Sequence, residues 1–406
     1  MAQDKDLKTP NVPPLRFPGF TDEWEKTSLG EIGETLIGLT YSPKDVVENG
    51  GTIVFRSSNI QNGMIDYSDL VRVNKSIKER IITKENDILV CARNGSTRLI
   101  GKNTLLKKSD SGNTFGAFMM IYRSEDNDIV HPILSTRRYF SQVSENLGAR
   151  INQITTSDLN SFEFNLPNNP EEKRKIGKLF QLINERIATQ NKIIDNLKSL
   201  IKGLNDSFHR NCNGELVSFS EIGYAYSGLS GKKGEDFGEG SPYITYLNVY
   251  QNDVIDETQV GYVRIDDSES QHLLSKGDLL FTLSSETPEE VGIGSVYLGE
   301  SDRYYLNSFC FGVSITKTDK IYPPYLAFLV SSQQFRKFVY PLAQGSTRFN
   351  LQKNDFLKKE FVLPSLSEQK ELSDNLNKLT ERLRVEIRLN VLYIKQKEHL
   401  LSKLFI

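Results

Sequence analysis

The 406-residue chain is poor in the side chains that carry most covalent, redox and metal chemistry: three cysteines, four histidines, four methionines and one tryptophan. Cys91, Cys212 and Cys310 stand too far apart for a Cys-x-x-Cys pair or a disulfide framework, a usage that fits a reducing compartment. His131, His209, His272 and His399 show no metal-ligand spacing. A P-loop and a Gly-rich cofactor loop are both missing. No window approaches the roughly 18 apolar residues of a membrane span. The first twenty residues, MAQDKDLKTPNVPPLRFPGF, are polar and Pro-rich and lack the apolar core of a secretory signal. Residues 1–19 therefore read as an N-terminal tail, and the protein as cytoplasmic, with no membrane association and no bound metal or cofactor of its own. Neither sign of charge dominates, with 50 basic against 52 acidic side chains. Residues 215–363 carry 13 basic and 20 acidic groups, which counts against a strong unaided hold on a polyanion there.

What the chain has instead is itself, twice. TSLGEIGETLIGL (27–39) is answered by VSFSEIGYAYSGL (217–229), with Ser28/Ser218, Glu31/Glu221, Ile32/Ile222, Gly33/Gly223, Gly38/Gly228 and Leu39/Leu229 identical. NGMID (62–66) is answered by NDVID (252–256), ENDILV (85–90) by KGDLLF (276–281), and SDLNSFEFNLP (157–167) by NDFLKKEFVLP (354–364). A period near 190 residues is too long for a solenoid and means a domain written twice. Each copy shows short strands punctuated by Gly, Asn, Asp and Ser: TIVFRS, DILVCA and FMMIYR, then YITYLNV, DLLFTL and FCFGVSI. A helical stretch and a strand running into a proline follow. Two similar globular α/β domains are expected, over 20–167 and 214–364, each on a mixed sheet, open or barrel-like.

A long helix follows each domain, over 168–213 and 365–406. Asn169-Pro170-Glu171-Glu172 and Ser365-Leu366-Ser367-Glu368 supply start signals. Ile176, Ile183, Leu197 and Leu204 share one heptad position, with Phe180, Ile187, Ile194, Ile201 and Phe208 beside it; Leu372, Leu376, Leu379, Leu383, Ile387, Ile394 and Leu401 run along the second helix. Polar breaks at Arg186, Gln190 and Asn390 are of the kind that fix register. The fold class is thus α+β: a pseudo-twofold repeat of two heads, with two long antiparallel helices forming a coiled coil between them and holding them apart.

Motifs for catalysis fall away on inspection. The Glu-x-Lys triplets at 171–173 and 368–370 suit a nuclease only on a strand, and here they open helices, where acidic side chains favour the dipole. Tyr322-Pro323-Pro324-Tyr325 lacks the polar first residue that an amino-methyltransferase tetrad needs, and reads as a helix start. Glu289-Glu290 reads as part of a solvated loop. What recurs in both heads is loops rich in side chains that read base edges or hold phosphates. In the first head these are Arg56, Ser58, Asn59 and Gln61; Arg93, Asn94, Arg98 and Lys102; and Arg150 and Asn152. In the second they are Tyr246, Asn248 and Tyr250; Ser284 and Ser285; and Arg348, Asn350 and Gln352.

The ordered duplication, the lead-in PPLRFPGFTDEWEKTSLGEIG (13–33), the NDILV and GDLLF stretches, the EFVLP exit and the two capped helices together resemble the specificity subunits of Type I restriction-modification systems. The resemblance implies that each head reads one half of a split sequence in double-stranded DNA. It implies that the helices set the spacer and dock two methyltransferase subunits, through Ile183, Ile187, Ile194, Leu197, Leu204, Leu379, Leu383, Ile387, Ile394 and Leu401. Restriction/translocase subunits would complete the assembly. S-adenosylmethionine, ATP and Mg²⁺ would be used by those partners, and this chain would be no enzyme. The competing expectation is a scaffold whose duplicated heads bind proteins rather than DNA.

Overall fold

The repeated opening stretch is a turn device. In the computed structural model, which describes residues 11–147, 152–266 and 268–405, strand Glu25–Ser28 runs straight into a one-turn helix, Leu29–Ile32. The Glu31 carboxylate accepts the Ser28 backbone N–H at 2.7 Å. The second copy repeats this with strand Glu215–Ser218, helix Phe219–Ile222 and Glu221 accepting from Ser218 at 2.7 Å. These are the reciprocal Ser-x-x-Glu boxes that satisfy free helix N–H groups. Gly38 and Gly228 follow because backbone lies against them. A Cβ at Gly38 would sit 2.1 Å from the Gly116 carbonyl oxygen, and one at Gly228 would sit 2.0 Å from that of Asn307.

From this start each head builds the same frame. Strand Glu25–Ser28 pairs antiparallel with Glu163–Leu166, and Glu215–Ser218 with Glu360–Leu363. A four-stranded antiparallel sheet follows, in the order Glu34–Ile37, Met119–Arg123, Ile88–Cys91, Asn103–Leu105 in the first head. Its counterpart is Gly223–Ser227, Cys310–Ile315, Leu279–Thr282, Gly294–Val296. The central strands Ile88–Cys91 and Leu279–Thr282 are buried along their whole length, as an unbroken apolar run requires. A second sheet in each head contains one short parallel pair, Thr114–Phe115 with Thr52–Phe55 and Tyr305–Leu306 with Phe237–Ile244. Each head thus rests on separate small sheets rather than on the single mixed sheet expected. The stretch YITYLNV is also only half strand. Thr245 accepts the Asn248 N–H at 3.2 Å and starts a helix, Tyr246–Gln251; a capping threonine outweighs the β-propensity of the residues after it.

Asp87 and Asp278, matched in the repeat, close equivalent turns. Asp87 accepts the Lys84 N–H at 2.8 Å and Asp278 the Ser275 N–H at 3.0 Å. The second partner differs: Arg123 holds Asp87 in a two-pronged pair at 2.7 Å, whereas the Tyr226 hydroxyl donates to Asp278 at 2.6 Å.

The chain divides into two units, residues 1–192 with 387–406, and residues 193–386. The long helices, Pro170–Asn211 and Leu366–Leu404, therefore each contribute to both units. In the first unit Phe180 stacks on Phe405 at 5.7 Å, Arg186 lies over Tyr393 at 4.5 Å, and Asn390 donates to Asn191 at 2.8 Å. Partner numbers fall as residue numbers rise, so these helix segments are antiparallel. Their apolar side chains join Trp24, Leu401 and Leu404 in the core of the first head. In the second unit Ile201 and Phe208 share a core with Leu372, Leu376 and Leu379, around a cluster that includes Phe219, Phe281, Phe335 and Phe356.

Of the expected tail 1–19, residues 1–10 lie outside the described residues, and residues 11–19 are tied to the rest of the chain. The Leu15 N–H donates to the Lys403 carbonyl at 3.0 Å, and Asn11 donates to the Trp24 carbonyl at 2.5 Å. Arg16 grips Glu172 through two bonds, 2.6 and 2.7 Å, with the Glu172 side chain fully buried. This is what occupies the first Glu-x-Lys triplet, and its Lys173 pairs with Asp126 at 2.7 Å. In the second triplet Gln369 is buried and bonded to the Lys320 and Pro364 carbonyls. Arg16→Ala leaves a buried carboxylate without its cation and is expected to cost about 3–5 kcal/mol in urea unfolding. Replacing the pair together, Arg16→Met with Glu172→Leu, should recover most of the loss. A cost below about 1 kcal/mol for the single change would mean that water solvates Glu172 after all.

Candidate nucleic-acid interface

The polar loops of each head converge on one surface. In the first head Asn94 donates to Ser57 Oγ at 3.0 Å, tying the loop of Arg56 and Ser58 to the loop of Arg93. The Asn94 N–H meets the Asn152 carbonyl at 3.4 Å, and Asn152 donates to the Gly95 carbonyl at 3.3 Å. Gln61 stands at the tip of a hairpin, Ile60–Gln61 with Met64–Ile65. Asn62 and Gly63 turn it, with φ of 51° and 73°, the two left-handed positions of a tight Asn-Gly turn. Arg56 and Ser58 both bond Asp69, at 2.7 and 3.3 Å. Arg98 is exposed on the turn Thr97–Leu99, and Lys102 follows it, half-buried. Arg150 lies outside the described residues.

In the second head Ser284 and Ser285 pair as a strand with Asn350 and Phe349. Arg348 donates to Ser284 Oγ from Nε and Nη2, at 3.2 and 3.1 Å. The Tyr246 hydroxyl donates to the Ser284 carbonyl at 2.9 Å, and the Tyr246 ring stacks on Tyr250 at 6.0 Å. Tyr250 and Ser285 donate to Glu290 at 2.6 and 3.0 Å. The Tyr250 hydroxyl, then Ser285 and Thr287, hold the Glu290 carboxyl below the usual carboxylate range. Glu290 is therefore a held acceptor on a solvent-facing turn, with Glu289 exposed beside it. Gln352 is half-buried at the start of helix Lys353–Lys358.

Three of the expected readers are buried, Ser284 beneath the Arg348 guanidinium and two asparagines that turn inward. Asn59 is fully buried and donates to the Asp66 and Asp69 carbonyls, at 3.1 and 2.7 Å. Asn248 is equally buried and donates to the Asp256 and Gln259 carbonyls, both at 2.8 Å. They are one loop-closing device made twice, and their amide donors are spent on backbone.

Two side chains outside the expected set of readers sit at the surface. Phe118 is 59% exposed with Arg93 over its ring at 5.1 Å, and Phe309 is 56% exposed with Arg348 over its ring at 5.8 Å. The signal was available: both phenylalanines interrupt a turn just before a buried strand, at matching places in the repeat.

Among the described residues the surface offers planar donors, carboxylate acceptors and rings. Cys91 and Cys310 are buried, and burial pushes their thiols up to about 11 and about 12. Among the described residues no cluster of three metal-ligating side chains occurs, and no helix is long and apolar enough to cross a membrane. In the first unit a cavity of about 720 Å³ lies elsewhere, lined by Arg137, Arg138, Phe164, Lys395 and His399 among others.

On the long helices, Ile194 and Leu401 are buried, and Ile183, Ile187, Leu197, Leu379 and Leu383 are half-buried. Leu204, Ile387 and Ile394 are exposed, as are Leu182, Leu200, Val385, Val391 and Leu392. The helices thus carry apolar side chains left uncovered by the described residues.

The comparison with known proteins agrees with this architecture. The chain is 23% identical over 385 residues to the Type I restriction enzyme EcoKI specificity subunit of Escherichia coli K12, spanning 88% of this chain and 82% of that one. It is 24% identical over 415 residues to the MjaVIII specificity subunit of Methanocaldococcus jannaschii, spanning 95% and 89%. The crystal structure of a Type I restriction-modification S subunit from M. genitalium superposes with a TM-score of 0.58 at 17% identity, over 97% of this chain and 99% of that one. A second solved chain, from a study of assembly and conformational transition in a Type I system, gives 0.56 at 14%, over 94% and 97%; at such identities the likeness is one of fold. The family described as the Type I restriction modification DNA specificity domain matches residues 21–199 and again 216–391. With most of its length in two copies of that domain, the chain belongs to the Type I restriction-modification DNA specificity family.

Proposed function

We propose that the chain is the DNA-reading subunit of a Type I restriction-modification assembly, each head recognising one part of a split duplex target. The observation that carries the reading is the pair of convergent polar surfaces, one per head, each joining a guanidinium, an exposed ring and a carboxylate. Such groups meet the donor and acceptor pattern of base edges. A protein-binding scaffold has no comparable observation in its favour.

The chain supplies recognition and no catalysis. Two methyltransferase subunits dock on the long helices, whose uncovered apolar residues give them a surface, and restriction/translocase subunits join them. The partners bind S-adenosylmethionine, ATP and Mg²⁺. The near balance of charge fits a duplex held partly by those partners, because phosphate neutralisation dominates affinity. The assembly works in the cytoplasm of a bacterium or archaeon.

Duplex DNA with labelled S-adenosylmethionine tests this directly. The chain alone should transfer nothing above background. With a co-expressed methyltransferase subunit, label should enter one split sequence, from a complex whose mass fits two such subunits per chain. Transfer by a partner-free preparation, or modification without sequence preference by the complex, would overturn the reading.

A further inference from the structure

The two most exposed aromatic side chains among the described residues are Phe118 and Phe309, and each carries an arginine on its face. Their places in the repeat are equivalent. The Phe118 carbonyl accepts the Ala92 and Arg93 N–H groups at 2.9 and 3.0 Å, and the Phe309 carbonyl accepts the Leu283 N–H at 2.9 Å. Their cations arrive by different routes. Arg93 follows the buried strand Ile88–Cys91, whereas Arg348 lies in the turn between Ala343–Gly345 and Phe349–Leu351. One composite surface is therefore assembled twice from different parts of the chain.

We propose that Arg93 and Arg348 are the guanine-reading side chains of their heads, and that Phe118 and Phe309 are positioning residues that hold each guanidinium plane ready for a two-donor contact. This rests on the DNA-reading function proposed above. The donor count allows it. The Arg93 guanidinium has no hydrogen-bond partner among the described residues, and Arg348 spends Nε–H and one Nη2 hydrogen on Ser284 Oγ. Arg93 keeps all its donors, and Arg348 keeps Nη1 and the second Nη2 hydrogen, an outer edge that matches guanine O6 and N7 in the major groove. An aromatic face restrains the long side chain without consuming donors, lowering the ordering cost of the contact. Each loop cluster also holds a carboxylate, Asp69 bonded by Arg56 and Ser58, and Glu290 bonded by Tyr250 and Ser285. They also suit the amino donor of cytosine.

The complex with its methyltransferase partner is the material for the test. Its target is mapped first, and methylation rates are then measured on duplexes substituted at each target position. Arg93→Ala should lower discrimination about ten- to a hundredfold at one G·C position of one half-site, and Arg348→Ala should do so in the other half only. Arg93→Lys keeps the charge but loses the planar fork, and should behave like Arg93→Ala. Phe118→Leu should relax the same position as Arg93→Ala, and Phe118→Tyr should keep wild-type discrimination, a rescue that mere loss of packing does not predict. Thermal melting confirms that each variant is folded; should Phe118→Leu unfold, Arg93→Lys alone decides. If Arg93→Ala and Arg348→Ala weaken all sequences equally and reduce the salt slope by about one, the arginines hold phosphates and the inference fails while the DNA-reading function stands. A wild-type complex without any specific target would remove that function, and the inference with it.

Discussion

Exchanging residues 20–165 for the corresponding head of another family member should change one half of the modified sequence completely and leave the other half intact. Each mismatched base pair costs about 1–3 kcal/mol, roughly additively. Several altered contacts therefore move preference from the old half-site to a new one by a thousandfold or more. The graft has a structural requirement: the first head shares its core with Phe180, Leu401 and Leu404 of the long helices. A donor head that supplies the ring of Trp24, which meets Phe405 at 6.3 Å, should fold on the resident helices. Methylome sequencing of a host carrying the hybrid with its partner gives both halves at once. If both halves changed, independent reading by the two heads would be wrong.

A second large effect is expected from the helices. Seven residues inserted after Gln190 and seven after Asn390 preserve the heptad phase, whereas four would rotate the apolar stripe out of its seam. The sites are well matched, because Asn390 is hydrogen-bonded to Asn191, so the inserted heptads face each other across an antiparallel pair. Seven residues add about 10 Å at 1.5 Å each. At about 3.4 Å per base pair, the unread spacer of the target should grow by up to about three base pairs with both half-sites unchanged. A folded, active variant that retained the original spacer would show that the helices clamp the chain without measuring its target.

The parts of this fold that were legible in sequence are those that local chemistry dictates. The Ser-x-x-Glu boxes at 28–31 and 218–221 are closed by groups three residues apart, and they are in place. The heptads of both long helices form with their Asn169 and Ser365 caps. What stayed hidden depends on partners distant in the chain. Asn59 and Asn248 look like any loop asparagine until the carbonyls they hold are seen. Residues 11–19 look like a tail because Arg16 and Glu172 are 156 residues apart. Phe118 and Phe309 were absorbed into the adjoining strands, since alternation cannot tell a buried first residue from an exposed one when the strand behind it is apolar on both faces.

The first unit takes its last segment, residues 387–406, from beyond the whole of the second. A ribosome therefore makes the first head before the second unit and the helical segment that completes its core after it. Residues 193–386 are a continuous stretch and can fold as they emerge, while Trp24 and Phe180 wait for Leu401, Leu404 and Phe405. The order of synthesis and the order of completion are thus reversed. Long-range closure of this kind is slow and leaves apolar surface open meanwhile. A message broken between the codons for residues 386 and 387 would yield a chain with a finished second head and an unsealed first one, an incomplete product marked by its own exposed core for the cell's chaperones and proteases.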